Sequence, residues 1–174
     1  MAFVKATRQQ AKLRLALAGP TKSGKSYTAL AIATELGRLI GSRVAVLDSE
    51  AGRALLYAGS FDFDHDTISE FAPSKYVEKI HEAERAGYRV IVVDGISQAW
   101  SGRGGVLEIV DAATEAAAAR SGRGASKFTS GWSKGTPEHN SLMEAVVQSP
   151  AHIIATMRSK TEYVMESKNG KDVP

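Results

Sequence analysis

Gly19-Pro20-Thr21-Lys22-Ser23-Gly24-Lys25-Ser26 is the stretch whose reading decides the rest. Before it runs Leu13-Arg14-Leu15-Ala16-Leu17-Ala18, a strand candidate. After it, from Ser26 to Ile40, apolar residues Ala29, Ala33, Leu36 and Ile40 recur at the spacing of an amphipathic helix, with Gly41 as a stop. A strand, a tight glycine-bearing loop and a helix in direct succession make an anion site. Glycines let the backbone curl so that successive N–H groups face one point, and the positive end of the helix is aimed at the same point. Gly19, Gly24, Lys25 and Ser26 satisfy G-x-x-x-x-G-K-[ST]. In that pattern the lysine reaches the β- and γ-phosphates of a nucleoside triphosphate, and the hydroxyl ligates Mg²⁺. The expected ligands are ATP and Mg²⁺. The expected contacts are Gly19, Pro20, Thr21, Lys22, Ser23, Gly24, Lys25, Ser26 and the adjoining Tyr27.

Further along, Arg43-Val44-Ala45-Val46-Leu47-Asp48 and Arg89-Val90-Ile91-Val92-Val93-Asp94 echo each other. Each is a near-continuous aliphatic run ending in Asp, the composition of a strand buried on both faces of a parallel sheet. Asp94 therefore stands in the Walker B arrangement as a second Mg²⁺ ligand, although an Asp before Gly95 also suits a plain turn. Glu50 lies just beyond the first run, where a carboxylate can orient or deprotonate an attacking water. It also suits the first turn of a helix over residues 51–58, and from position alone that plainer reading is the better one. Ser74 to Ala86 places Tyr76, Val77, Ile80 and Ala83 on one helical face. Ala151 to Met157 reads as another buried strand, preceded by a helix expected to start with Thr136 as cap and Pro137 at its first position. Strand and helix alternate. The expectation is an α/β three-layer P-loop NTPase sandwich with a mostly parallel central sheet, its strand C-termini gathered at one ligand-binding edge.

The 174 residues suit one core, read as residues 12–174 behind an N-terminal arm at 1–11. There is no Cys, which excludes disulfides and thiolate metal sites. No apolar run approaches the ~20 residues of a membrane helix, so no membrane partner is expected. The net charge of +3 is too small to imply a polyanionic partner by itself. Its distribution says more. Arg120, Arg123, Lys127 and Lys134 lie in an acid-free, Gly- and Ser-rich stretch at 120–135, interleaved with Phe128 and Trp132. Cations neutralise phosphates and aromatic faces stack on unpaired bases. This segment is expected to be a functional loop that contacts single-stranded DNA; the plainer alternative is a solvated linker whose aromatics pack on the core. At the end of the chain, residues 161–166 read as a strand and Asn169-Gly170 as a hairpin turn. A C-terminal β-hairpin is expected, with a further strand in the parent protein.

Several of these segments together resemble the RecA-like ATPase family. The resemblance rests on the Gly-Pro-x-x-Ser-Gly-Lys-Ser loop, on Leu47-Asp48-Ser49-Glu50-Ala51 with Leu55, Tyr57 and Ala58, on Val92-Val93-Asp94, and on Ala155 to Lys160. It spans about residues 3–167 and is nearest to the RecA-like ATPases of bacteriophages, some of which are single-strand annealing recombination proteins. It implies that Glu50 is the catalytic base. It also implies that the Ile153–Met157 strand lies between the P-loop and Walker B strands, and that Thr156 sits near the γ-phosphate. Thr156 stands where the family has glutamine, which leaves Arg158 and Lys160 as further candidates for sensing that phosphate. Phe3 and Ala6 fit the Phe-x-x-Ala motif with which such recombinases plug into the next subunit. The implied protein is a slow, DNA-stimulated ATPase that forms a homo-oligomer or filament on single-stranded DNA, in the cytoplasm of a bacterial host. Two readings from other classes stand beside it: a P-loop kinase for a small molecule or nucleotide, with Arg120 and Arg123 in a lid, and a non-catalytic nucleotide-dependent assembly switch.

Overall fold

The computed structural model describes residues 11–122 and 124–159, together with the backbone of 166–168 and 171–173. Its centre is a five-stranded, wholly parallel sheet. The strands are β1 (Arg14–Gly19), β2 (Val44–Asp48), β3 (Asp64–Thr67), β4 (Val90–Asp94) and β5 (His152–Arg158), in the spatial order β1-β5-β4-β2-β3. β5 thus lies between β1 and β4.

The sheet is covered on both faces. Every residue of β2 and β4 is buried, as their unbroken aliphatic composition requires. Side chains alternate between two cores. Val90, Val92 and Ile154 join Ala29, Leu30 and Ala33 of helix α1 (Lys25–Ile40) on one face. Ile91, Val93, Ile153 and Ala155 join Tyr76 and Ile80 of α2 (Pro73–Arg85) and Leu142 on the other. The short helix α3 (Gln98–Ser101), then α4 (Val106–Ser121) and α5 (Trp132–Gln148), complete that second layer. Among the described residues no helix is long and apolar enough to cross a membrane.

The stretch expected as a loop at 120–135 is mostly helical. α4 runs to Ser121, a π-helical turn spans Lys127–Gly131, and α5 begins at Trp132, so Thr136 is not its cap and Pro137 lies inside it. Packing explains the glycines that suggested a loop. A Cβ at Gly135 would lie 2.4 Å from Val110 Cγ2, and one at Gly131 would lie 2.6 Å from the Val110 carbonyl oxygen. The two glycines, one turn apart, form the notch into which α4 sinks. Pro137 withholds a donor from the carbonyl of Ser133, an exposed residue.

At the C-terminal end, β6 (Glu166–Lys168) and β7 (Lys171–Val173) pair antiparallel. The intervening Asn169-Gly170 turn and the expected strand start at 161–165 lie outside the described residues, as do the arm at 1–10 with Phe3 and Ala6, and Lys160.

Candidate functional site

The parallel register brings four strand ends to one edge. Gly19 of β1 lies opposite Arg158 of β5, and Asp48 of β2 lies opposite Asp94 of β4. From Gly19 the chain turns through Pro20 to Gly24, with Lys22 and Gly24 both at positive φ, and enters α1 at Lys25. The Lys25 ammonium folds back over this loop, donating to the Pro20 carbonyl at 2.7 Å and lying 3.5 Å from Ser23 Oγ. At the second residue of the helix, the Ser26 hydroxyl donates to Asp94 Oδ1 at 3.0 Å.

These residues line a cavity of about 310 Å³. Thr21 to Ser26 form one wall; Asp94, Gly95 and Thr156 form the floor; Glu50, Arg53, Tyr57 and Arg158 form the far side. Four cations, Lys22, Lys25, Arg53 and Arg158, face two acids, a balance suited to a polyanion. Of the expected contacts, Gly19 and Pro20 shape the loop behind this wall. Tyr27, half exposed, lies edge-on to Tyr57 at 5.9 Å and Phe61 at 5.1 Å, so it buttresses the aromatic side chain that does line the cavity. Tyr57 carries no charge or motif that singles it out in the sequence; only the fold brings it here.

Asp94 is buried and deliberately held. Its Oδ1 accepts from both Ser26 and Thr156, and the Thr156 oxygen in turn accepts from the Gly95 N–H at 2.9 Å. The Thr156 hydroxyl is therefore engaged on both sides, by Asp94 and by the Gly95 N–H, where it lines the cavity. Burial pushes the Asp94 carboxyl above its ordinary value; the Thr156 and Ser26 hydroxyls pull it down, and the nearby charges of Asp48 and Glu50 push it up again. Its other oxygen, Oδ2, is buried and accepts no hydrogen bond among the described residues. An orphaned carboxylate oxygen beside a hydroxyl is a hard-oxygen donor set that suits Mg²⁺. Among the described residues no cluster of three His, Cys, Asp or Glu side chains could hold a metal unaided. A Mg²⁺ here would rest on Asp94, Ser26, water and the ligand's own phosphates.

Glu50 is carried by a turn that Asp48 builds. The fully buried Asp48 carboxylate accepts from the Glu50 N–H at 2.6 Å and the Ala54 N–H at 3.0 Å, and lies 3.3 Å from His65 Nε2. Ala51 and Gly52 follow at positive φ, leading into a 3₁₀ helix at Arg53–Tyr57. The Ser49 hydroxyl ties the turn to β4, donating to the carbonyls of Asp94 and Gly95 at 2.9 and 2.8 Å. The Glu50 side chain is ion-paired to Arg158 and lies 3.8 Å from Arg53.

The basic segment is divided among α4, the π-helical turn and α5. Arg120 and Lys134 flank a groove floored by Ala113, Ala116 and Ala117. Lys127 is paired to Asp111 at 2.5 Å. Phe128 is 81% exposed, whereas Trp132 is half-buried against Trp100, ring centres 5.7 Å apart. Trp100 also meets His139 edge-on at 5.3 Å. Arg123 lies outside the described residues.

No curated protein matches the chain. A family model described as an AAA domain matches residues 11–173, nearly the whole chain, and the span includes the lysine loop, Glu50, Asp94 and the β5 terminus. With a P-loop cavity at the ends of a parallel sheet and a family match of that extent, the chain belongs to the AAA-domain family of nucleotide-binding and nucleotide-hydrolysing P-loop proteins.

Proposed function

We propose that this chain is a Mg²⁺-dependent ATPase of RecA-like type that works on single-stranded DNA as a homo-oligomer or filament, in recombination or annealing of the kind its bacteriophage look-alikes perform. The observation that carries the ATPase part is the buried Asp94, whose Oδ1 accepts from Ser26 and whose Oδ2 has no hydrogen-bond partner among the described residues. The N–H groups and Lys25 bind the phosphates and orient them. Asp94 and Ser26 hold Mg²⁺, which when bound neutralises charge on the phosphate oxygens. Glu50 orients a water for attack and takes its proton at a carboxylate oxygen. Tyr57 offers an aromatic wall for a nucleobase.

The DNA part is supported by the exposed Phe128, by Arg120 and Lys134 at one groove, and by the half-exposed Trp100–Trp132 pair. Aromatic faces with nearby cations suit unpaired bases on a phosphate backbone. The test is ATP turnover with and without single-stranded DNA at low and moderate salt. Stimulation that fades as salt rises is expected. The chain has two tryptophans, and both are in the pair, so oligonucleotide quenching of intrinsic fluorescence reports directly on that surface. Turnover indifferent to DNA, with no quenching, removes the DNA part. ATP binding without any turnover leaves the nucleotide-dependent switch.

A further inference from the structure

Arg158 is anchored at the phosphate loop and reaches across the site. Its Cα pairs in register with Gly19, its N–H donates to Ser97 Oγ at 2.9 Å, and the next N–H, of Ser159, donates to the Gly19 carbonyl at 3.1 Å. Yet its guanidinium is bonded to Glu50, at the end of β2. Because β4 lies between β5 and β2, this ion pair spans the mouth of the cavity past Asp94. The two partners differ in freedom. The Glu50 side chain is 10% exposed and the Arg158 side chain 41%. The acid is fixed by its turn, and the arginine is the partner with room to move.

A carboxylate oxygen bonded to a guanidinium is not free to accept from a water. A terminal phosphoryl group entering the same cavity competes for that guanidinium, because arginine pairs with phosphate through short, charge-assisted and often bidentate bonds. A diphosphate lacks this competitor. We propose that Arg158 is a positioning residue that holds Glu50 in the substrate-free protein and passes to the terminal phosphoryl group of a bound nucleoside triphosphate, freeing Glu50 only when a triphosphate fills the loop. Arg158 then determines preference for triphosphate over diphosphate. This rests on the reading of the cavity as an ATP site.

Equilibrium binding of ADP and of a non-hydrolysable ATP analogue to the full chain tests it, in the presence of Mg²⁺. Arg158→Gln is expected to weaken the analogue by about tenfold or more, the scale of a hydrogen bond to a charged group, and to leave ADP within about twofold. Arg158→Lys is expected to fall between, which guards against a folding defect in the first variant. Glu50→Gln is expected to tighten the analogue several-fold without moving ADP, and to do nothing in the Arg158→Gln background. Equal weakening of both nucleotides by Arg158→Gln, or a Glu50→Gln effect that persists without Arg158, overturns the proposal. Failure of the unmodified chain to bind either nucleotide overturns the ATP-site reading itself, a separate and distinguishable result.

Discussion

At the scale of single residues, Asp94 is the point of greatest tension. Its carboxyl is raised above 3.8, first by burial, so the native state binds this proton more tightly than the unfolded chain does. The resulting contribution favours folding below the ordinary carboxylate range and is lost as pH rises through the raised value. At neutral pH the ionised, half-satisfied carboxylate is a burden on the nucleotide-free protein. Asp94→Asn is therefore expected to raise its thermal stability at pH 7–8, with the gain shrinking toward acid, and to lower Mg²⁺-dependent turnover by about 100-fold or more. Thermal melts across pH beside turnover assays check both halves; a variant no more stable at pH 8 than the parent contradicts the first. Gly95 is the second such residue. It sits at φ +93°, and a Cβ there would lie 2.6 Å from Ser49 Oγ and 2.8 Å from Glu50 Cγ. Gly95→Ala should cost about 1–3 kcal/mol of stability and displace Glu50. Turnover should fall by about 100-fold with nucleotide affinity nearly kept, a split that steady-state kinetics and direct binding resolve. That Lys25, Ser26 and Asp94 meet at one cavity was legible in the sequence, because each stands at a strand end or in the loop that follows one. The hold of Arg158 on Glu50 was not, since 108 positions separate them and only the strand order brings them together.

At the scale of elements, β2 and β4 were readable because each position is aliphatic and buried, whereas β3, reading Asp64-His65-Asp66-Thr67, has no apolar pattern to betray an edge strand. The segment 120–135 misled for a definite reason. Glycine reads as flexibility when its neighbours along the chain are polar, but here Gly131 and Gly135 serve close packing between helices, which has no local signature. Helix propensity alone favours alanine over glycine by about 1 kcal/mol. Gly135→Ala is nonetheless expected to destabilise, by about 1–3 kcal/mol, because the added methyl meets Val110 at 2.4 Å and overpacks the α4–α5 contact. Denaturant melts decide the sign, and a gain in stability would show that α4 can retreat without loss. The same substitution should also weaken oligonucleotide quenching of the Trp100–Trp132 pair, whose second ring begins α5.

At the scale of the whole molecule, alternation of strand and helix announced the parallel sheet and its ligand edge, and the placement of β5 between β1 and β4 agrees with the order the RecA-like resemblance implies. That order has a mechanical consequence. β1 is the border of the sheet and is joined to it along one seam only, with β5. The phosphate loop hangs from one side of this seam, while Thr156 and Arg158 hang from the other. If the seam unzips, the loop and Thr156 part company together, along the line the ligand would span. A bound nucleotide then acts as a rivet. Deuterium uptake at the amides of β1 and β5 that form this seam should slow markedly on adding ATP, while the amides of β2 and β4, which take no part in it, should hardly respond. At about 100 times its dissociation constant the ligand adds roughly 2.7 kcal/mol of stability, and this single border should absorb most of it.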